Sequence, residues 1–426
     1  MDTWIEAFAD RVITPEAAAA LVADGDLVVG GLPEPTLFLE ALGARRDLEA
    51  IDVFVPAPRV GGVAVASNPA IRLLTPFRTQ LLRKAGSPAE VLPVRLHDWA
   101  GLIERMGPRV AVVQVSTPDA DGTVHAGSTV AANDRLIRRD RAPGDVVLGL
   151  VNPIVPHING ETYHVDEFDA LIPVPVNDKA MPIFDERREP EHLDAFVGAL
   201  EELIPDGATL QAGIGGIAER ALYRLNGKAD LGIHTEVLGA GLTHLVQTGV
   251  ATGRRKTVFP DEAIFTISLP ESFAAIDRNP QFRIEPARLV LDPALVASNH
   301  LMRCINSALE VDLWGQVNAE MIDGEQYSGV GGQLDFLRGC SLSNDALAIH
   351  VLPSTAAGGT RSRIVTKIGQ NAVTGTRYDT QVIVTEYGIA WLRDATMRQK
   401  AERLISIAHP DFRAALTAEA EQAGML

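Results

Sequence analysis

The chain has little cysteine, with only Cys304 and Cys340 among 426 residues and no CxxC spacing. Two cysteines are too few for a disulfide framework, so we expect a protein of the reducing cytoplasm. Its first residues, MDTWIEAFAD, carry acids where a secretory signal requires basic side chains. The sequence also lacks a run of about 20 apolar residues, so neither export nor membrane insertion is expected.

Positive charge is scarce as well. The 38 basic side chains are outnumbered by 55 acidic ones, which gives a net charge of −17. This balance opposes the attraction that most nucleic-acid binding requires, so we expect no bare nucleic-acid partner. Local basic groups can still hold a phosphorylated small molecule, and the charge is therefore compatible with a nucleotide-bearing cofactor.

The length of the chain exceeds the size at which one hydrophobic core keeps growing, which predicts two domains. With 46% apolar and 22% charged residues, the composition is that of a globular enzyme rather than a disordered chain or a coiled coil. Segment 173–192 is rich in proline and charge and lacks periodicity. We place the boundary there, with an N-terminal domain at 1–186 and a C-terminal domain at 187–426.

Two parts of the sequence repeat. Segment 13–43 has the pattern of helix, tight turn, buried strand, Gly/Pro loop and helix, and segment 196–225 has the same pattern. Asp24 aligns with Asp206 and Gly31 with Gly213, both at an offset of 182 (206 − 24 and 213 − 31). A second pair, DADGTVHA at 119–126 and DLWGQVNA at 312–319, has an offset of 193 (312 − 119). The common order predicts two related α/β halves.

The runs RVAVVQV, DVVLGLV, LAIHVLP and QVIVTEYG have the continuous apolar character of buried strands. Amphipathic stretches such as RQKAERLISIA indicate helices between and after them. We therefore predict an α/β class with largely parallel sheets.

One carboxylate, Glu236, lies where an apolar stretch breaks into a Gly-rich turn in GIHTEVLGAG at 232–241. A carboxylate can attack a thioester carbonyl to form an acyl anhydride, which a free thiolate then converts to a glutamyl thioester. Glu236 is therefore our candidate nucleophile. A single glutamate after a strand is more commonly an ion-pair or capping residue, so the neighbouring motifs must decide.

Two Gly-rich loops, LQAGIGG at 210–216 and SGVGGQLDF at 328–336, expose backbone N–H groups of the kind that stabilise an oxyanion. The candidate donors are the amides of Ile214, Gly331 and Gly332, and ordinary turn formation is the alternative. Neither loop completes the GxGxxG of a dinucleotide site, so no NAD is expected.

Two polar residues could shape a pocket for an acyl group or a carboxylate, namely Asn306 in INSALEVDL and Glu386 in VTEYG. Structural roles are the alternative, because a buried asparagine commonly satisfies backbone groups and an acid after a strand commonly caps a helix. No HExxH motif occurs and the ten histidines are scattered, so we expect no metal site.

An ordered set of segments resembles the acetyl-CoA hydrolase/transferase family, the class I CoA-transferases. It comprises HTEVLGAG, INSALEVDLWGQV, SGVGGQLDFLRG, PSTAAGGTRSRIV, VTEYGIAWLR and IAHPDF, with VQVSTPDADGTVHAG and VNPIVPHINGETYHV in the N-terminal half. The resemblance runs from about residue 3 to about residue 415. It implies two similar open α/β domains with the active site in the cleft between them. It also implies coenzyme A as the acyl carrier, a small carboxylic acid as second substrate, neither metal nor NAD, and a homodimer.

The resemblance further implies a ping-pong mechanism in which the donor acyl-CoA acylates a glutamate, matched by Glu236, to which CoA becomes attached. The acyl-site pair of the family falls on Asn306 and Glu386. The oxyanion and CoA-binding positions fall on Gln211, Ile214, Gly331, Gly332 and Lys367.

The sequence departs from the family pattern at two places. Where close relatives usually read TExxSDG, this chain has Gly239-Ala240-Gly241 and lacks a hydroxyl and an acid. Where relatives often show MPR, it has His157. The arginine of MPR could bind a substrate carboxylate through two hydrogen bonds, whereas a histidine binds it more weakly and in a pH-dependent way. Both changes bear on the acceptor acid and leave the nucleophile in place.

Two other functions compete with CoA transfer. An acyl-CoA hydrolase would differ only in admitting water to the glutamyl thioester. A noncatalytic acyl-CoA-binding protein would keep the fold without turnover.

Overall fold

The computed structural model describes residues 3–175, 191–214 and 216–426. The boundary predicted between residues 186 and 187 lies outside the described residues. The chain divides into two compact units. The first comprises Met1–Ile183, Thr266–Leu289 and Tyr327–Gly331, and the second comprises Phe184–Phe265, Val290–Gln326 and Gly332–Leu426.

The first unit thus includes two segments from the later part of the chain, which a division into two continuous halves does not anticipate. Backbone pairing explains their place. The strand Phe282–Ile284 pairs with Asn159–Gly160, and the Ala287 N–H donates to the carbonyl of Ala131 at 2.8 Å. In the shorter segment, the carbonyl of Gly331 accepts the Leu96 N–H at 3.0 Å.

The sheet of the first unit has seven parallel strands, with helices connecting them. Their apolar runs are buried on both faces, as the all-buried pattern of VAVVQV shows. From edge to edge the strands are Ala170–Pro173, Val146–Val151, Val110–Val115, Leu27–Gly30, Ile51–Phe54, Ile71–Thr75 and Glu90–Val91.

The sheet of the second unit has six strands, parallel except for an antiparallel hairpin at one edge. From edge to edge they are Gly232–Ile233, Thr209–Ala212, Arg303–Ser307, Leu347–Val351, Val382–Thr385 and Gly388–Trp391. The predicted α/β class with largely parallel sheets is confirmed.

Five strands of each sheet follow the same order, and their central pairing keeps the same register. Val28 pairs with Val110 in the first unit, and Leu210 pairs with Arg303 in the second. These positions differ by 182 (210 − 28) and 193 (303 − 110), which are the two offsets found in the sequence. The N–H of Gly31 donates to the next strand at 2.7 Å, as that of Gly213 does at 2.8 Å. The predicted duplication is therefore present in the hydrogen bonding.

The remaining elements are short and connect these strands. The described helices are Thr3–Ala7, Pro15–Ala19, Thr36–Ala44, Val60–Ala66, Gln80–Ala85, Trp99–Met106, Asn133–Arg138, Leu193–Leu203, Gly216–Leu222, Ala240–Gln247, Phe273–Ile276, Ala287–Val290, Pro293–Ser298, Gln333–Ser341, Met397–Ser406 and Pro410–Gln422, with 3₁₀ turns at Leu96–Asp98, Val165–Glu167 and Pro270–Ser272. Among the described residues, none of these helices has the length and apolar character that crossing a membrane requires.

Short strands outside the two main sheets complete the described chain. They are Thr123–His125, Asn159–Gly160, Thr162–His164, Val237–Leu238, Ala263–Phe265, Ile267–Ser268, Phe282–Ile284, Glu310–Asp312, Val317–Asn318, Met321–Ile322, Glu325–Gln326, Thr355–Ala356, Arg361–Ser362 and Ile364–Val365.

Candidate active site

Four of the predicted site residues lie along the edge of the second unit's sheet that is formed by the carboxyl ends of its parallel strands. Gln211 and Asn306 are near the carboxyl ends of adjacent parallel strands, and Glu236 follows the strand next to that of Gln211. Glu386 follows Val382–Thr385 in the same sheet. In open parallel sheets this edge is where ligands bind, so the fold places the predicted polar groups where chemistry is expected.

The carboxylate of Glu236 is held by a backbone amide of the second Gly-rich loop. Its Oε2 accepts the N–H of Gly332 at 2.9 Å. A Cβ at Gly332 would lie 1.9 Å from Leu291 Cδ2 and 2.7 Å from Glu236 Oε2. Only glycine therefore lets the backbone approach this closely. The Gly332 amide, predicted as an oxyanion donor, donates to the predicted nucleophile in this structure.

The half-buried Glu236 carboxyl has a pKa raised to about 7. Loss of solvation is the main cause, the Gly332 N–H opposes it by stabilising the anion, and the negative charge of Asp335 adds to the rise. A carboxyl with this pKa exchanges between acid and carboxylate near neutral pH. Asp335 is not among the predicted site residues, although it lies three residues after Gly332 in SGVGGQLDF.

Asn306 and Gln211 form a reciprocal pair of side-chain amides. Gln211 Nε2 donates to Asn306 Oδ1 at 3.1 Å, and Asn306 Nδ2 donates to Gln211 Oε1 at 3.0 Å. Both residues are buried. A Cβ at Gly213 would lie 3.1 Å from Asn306 Oδ1, so this glycine makes room for the pair. The two hydrogen bonds fix the orientation of both amide groups.

The other predicted CoA-binding residues are in different settings. Ile214 is half-buried in the bend after Gly213. Gly331 belongs to the first unit and has a φ of +56°, a conformation that favours glycine. Lys367 is exposed after the strand Ile364–Val365.

Glu386 binds the loop that follows the neighbouring strand. Its Oε1 accepts the hydroxyl of Ser354 at 2.5 Å, and its Oε2 accepts the backbone N–H of the same residue at 2.9 Å. Ser354 is fully buried and begins the segment STAAGGTRSRIV. The Glu386 carboxylate therefore holds the loop that the family resemblance assigns to the CoA groove, which is a structural role.

The departure at Gly239-Ala240-Gly241 has a local structural counterpart. The Gly241 N–H donates to the carboxylate of Glu219, on the helix Gly216–Leu222. A Cβ at Gly239 would lie 2.7 Å from Glu219 Oε2, and one at Gly241 would lie 2.7 Å from the Glu219 backbone oxygen. Glu219 therefore takes the space that a side chain at position 239 would need.

His157 lies in the first unit among acidic and basic side chains that the sequence did not connect with it. Its Nε2 is 3.7 Å from Asp119 Oδ1, its ring centroid is 4.8 Å from that of His125, and its backbone N–H donates to Asp277 Oδ1 at 2.8 Å. Burial, followed by the charges of His125 and Arg278, lowers the pKa of His157. It does not supply the permanent charge of an arginine at neutral pH.

Comparisons with known proteins agree with one another. Residues 270–420 match the family model "Acetyl-CoA hydrolase/transferase C-terminal domain". The chain is 35% identical to a succinyl-CoA:cyclohexane-1-carboxylate CoA transferase of Geobacter metallireducens, over 97% of this chain and 96% of that protein. It is 32% identical to the 4-hydroxybutyrate coenzyme A transferase of Clostridium kluyveri, over 98% of each.

The fold comparison covers both chains completely. The crystal structure of RipA from Yersinia pestis superposes with a TM-score of 0.90 at 30% identity, over 100% of each chain. A more distant relative, an acetyl-CoA hydrolase of Eremothecium gossypii, is 27% identical over 72% of this chain and 64% of that protein.

Proposed function

The chain belongs to the acetyl-CoA hydrolase/transferase family and is a CoA-transferase-type enzyme, and on that premise we propose that it moves CoA from an acyl-CoA to a carboxylic acid through a thioester on Glu236. One observation carries this proposal. The Glu236 carboxylate is oriented by the Gly332 amide at 2.9 Å, and its pKa is raised to about 7. It is thus both fixed and weakly solvated, as an attacking carboxylate should be.

The first half-reaction attaches CoA to the enzyme. A Glu236 carboxylate oxygen attacks the thioester carbonyl, the C–S bond breaks, and CoA leaves as a thiolate while an acyl anhydride forms. The thiolate then attacks the γ-carbonyl of Glu236 and releases the first carboxylate. The product is a γ-glutamyl-CoA thioester.

The second half-reaction reverses this sequence with a different acid. The acceptor carboxylate attacks the glutamyl thioester and expels CoA thiolate, which then attacks the acyl carbonyl of the new anhydride. Glu236 returns as a carboxylate. One thioester is broken and one is made, so no external energy source is required.

The relatives act, by their names, on succinyl-CoA with cyclohexane-1-carboxylate and on 4-hydroxybutyrate. We propose a small carboxylic acid as acceptor, with Gln211 and Asn306 orienting polar groups beside the nucleophile. For CoA we propose contacts with Ile214, Gly331 and Lys367, and for the acyl group or carboxylate a role for Glu386 and His157. We also propose a cytoplasmic location and a homodimer.

Borohydride trapping tests the covalent step. The enzyme is incubated with acetyl-, succinyl- or 4-hydroxybutyryl-CoA, reduced with borohydride and digested, and the modified residue is located by mass spectrometry. We expect reduction of Glu236 to the alcohol with at least one donor. Glu236→Gln should show no modification, whereas Glu325→Gln, a matched change at an exposed glutamate of the second unit, should be labelled like the wild type.

Discharge of the adduct separates the competing functions. A carboxylic acid that removes the label and yields a new acyl-CoA supports transfer. Loss of the label to water alone, at the rate seen with acids, would establish a hydrolase. Turnover by Glu236→Gln within about 10-fold of wild type would contradict covalent catalysis at this residue, because removing a nucleophile costs far more.

A further inference from the structure

We propose that Asp119, His125 and His157 form a divalent-cation site in the first unit. One ligand atom from each side chain lies within 4.8 Å of the others. Two imidazoles and a carboxylate are a donor set typical of Zn²⁺ and similar cations of borderline softness. The site goes beyond the proposed CoA transfer, whose steps do not use a metal.

The sequence analysis expected no metal because no short His motif is present. The fold assembles the cluster from separate segments instead. Asp119 precedes a tight turn in which its carbonyl accepts the Gly122 N–H at 3.0 Å, and His125 ends the strand Thr123–His125 that follows. His157 comes from another loop, two residues before the strand Asn159–Gly160.

The hydrogen bonding of His125 prepares one ring nitrogen for a cation. Its Nδ1 lies 3.0 Å from the carbonyl of Ile158, and its Nε2 lies 3.3 Å from Asp119 Oδ2. Donation of the Nδ1 N–H to the carbonyl is the arrangement in which Nε2 can bind a metal. A cation between His125 Nε2 and the Asp119 carboxylate would be bound by both groups. Metal-bound histidines typically donate their other ring N–H to such a carbonyl.

His157 completes the cluster with further oxygen atoms nearby. Its Nε2 is 3.2 Å from the carbonyl of Thr117 and 3.7 Å from Asp119 Oδ1. The backbone N–H of His157 donates to Asp277 Oδ1, whose carboxylate is 3.8 Å from Nδ1 and adds negative charge behind the ring.

The distances require only modest adjustment. A tetrahedral Zn²⁺ about 2.0–2.1 Å from each ligand holds neighbouring ligand atoms about 3.3 Å apart. The 3.3 Å between Asp119 and His125 already matches this spacing. The distance between His157 Nε2 and Asp119 Oδ1 is 3.7 Å and would shorten on binding.

Arg278 is the cationic competitor at this site. Its Nη2 lies 3.3 Å from Asp119 Oδ1, and 63% of its side chain is exposed. Exposure lets the guanidinium turn into solvent when a metal binds, at little cost because exposed ion pairs are weak. Arg278→Ala should therefore bind the cation more tightly than wild type.

Cobalt titration tests the site without any activity readout. Chelator-treated full-length protein without a histidine tag is titrated with Co²⁺, followed by its visible d–d absorption, and Zn²⁺ is used to displace the Co²⁺. We expect one equivalent in wild type and loss of saturable binding in the double variant Asp119→Asn/His125→Gln. His157→Gln should weaken binding by more than about 10- to 100-fold, which is the loss typical of removing a residue that only supports a metal ligand.

A matched control removes a histidine that pairs with a carboxylate elsewhere in the same unit. His164 Nδ1 lies 3.2 Å from Asp166 Oδ2, and His164→Gln should leave Co²⁺ binding unchanged. Circular dichroism establishes that each variant is folded. Absent saturable binding in wild type, or equal binding by the folded double variant, would overturn the proposal and reduce the cluster to a network of hydrogen bonds and ion pairs.

Discussion

The Glu236 carboxyl experiences opposing effects on its pKa. Burial and the nearby Asp335 favour the neutral acid, and the Gly332 N–H favours the anion, with a resulting pKa of about 7. A nucleophile must be ionised, whereas a fully solvated carboxylate would be a poor one. A pKa near 7 satisfies both requirements at neutral pH.

This pKa predicts the pH profile of the first half-reaction. With one donor acyl-CoA in a single turnover, the rate of donor consumption should rise about 10-fold per pH unit below pH 7 and level off above it. Rapid quenching and chromatography of the remaining acyl-CoA give this rate. The donor carries CoA as a thioester, so the ionisation of free thiol does not enter the step. A rate independent of pH between 5 and 8 would contradict the assignment.

Single residues differ in how far the sequence predicts them. Glu236 stands in a recognisable motif, and its place beside a Gly-rich loop follows from that motif. The pairing of Gln211 with Asn306 joins residues 95 positions apart, and the contribution of Asp335 depends on a helix packing against the site. Such contacts are set by tertiary packing, which a local pattern does not contain.

At the scale of elements, the helices Gly216–Leu222 and Ala240–Gln247 contact each other through a glycine. A Cβ at Gly241 would lie 2.7 Å from the Glu219 backbone oxygen and 3.1 Å from Leu222 Cβ. Backbone atoms cannot move aside cheaply. Position 241 therefore needs glycine for packing, independently of catalysis.

Replacing Gly241 tests whether this residue affects the free energy of unfolding through packing or through helix propensity. Gly241→Ala should lower the free energy of unfolding by about 1–3 kcal/mol, the usual cost of overpacking. Gly198→Ala is the matched control, because Gly198 is exposed on the helix Leu193–Leu203 with open space around its Cβ position. The control should gain about 0.5–1 kcal/mol from better helix propensity. Urea unfolding of both variants measures the difference, and equal effects would contradict the packing argument.

Most elements follow from local patterns. The apolar runs at 110–115, 146–151, 347–351 and 382–385 form buried parallel strands as predicted, because burial on both faces demands continuous apolar sequence. Short strands such as Phe282–Ile284 escape prediction. Three residues carry too little periodicity, and their pairing with Asn159–Gly160 is non-local.

At the scale of the whole molecule, the duplication can be recognised in the sequence because the turns are repeated as well as the strands. Gly122 and Gly315 have φ values of +85° and +83°, and each donates its N–H to the carbonyl of the aspartate three residues earlier. Such positions select glycine in both halves. The sequence does not predict that Thr266–Leu289 belongs to the first unit, because this depends on backbone pairing across a long sequence separation.

The ionisation of Glu236 also affects the stability of the whole protein. The pKa is about 7 in the folded state and 4.5 in the reference state, so the folded protein holds the proton more tightly. Between about pH 4.5 and 7 the free energy of unfolding should therefore fall as pH rises, by up to about 3 kcal/mol from this group, and then stay level. Glu236→Gln has the same size and no charge, and it should escape this loss.

Urea midpoints of Glu236→Gln and wild type at pH 5, 6, 7 and 8 measure the effect. The advantage of the variant should be smallest at pH 5 and largest at pH 8, because the wild-type carboxyl is mainly neutral at the lower pH. Glu325→Gln, at an exposed position, should show no such trend. An advantage of Glu236→Gln that is constant with pH would mean that burial does not raise this pKa, and that the nucleophile is ionised without cost to the fold.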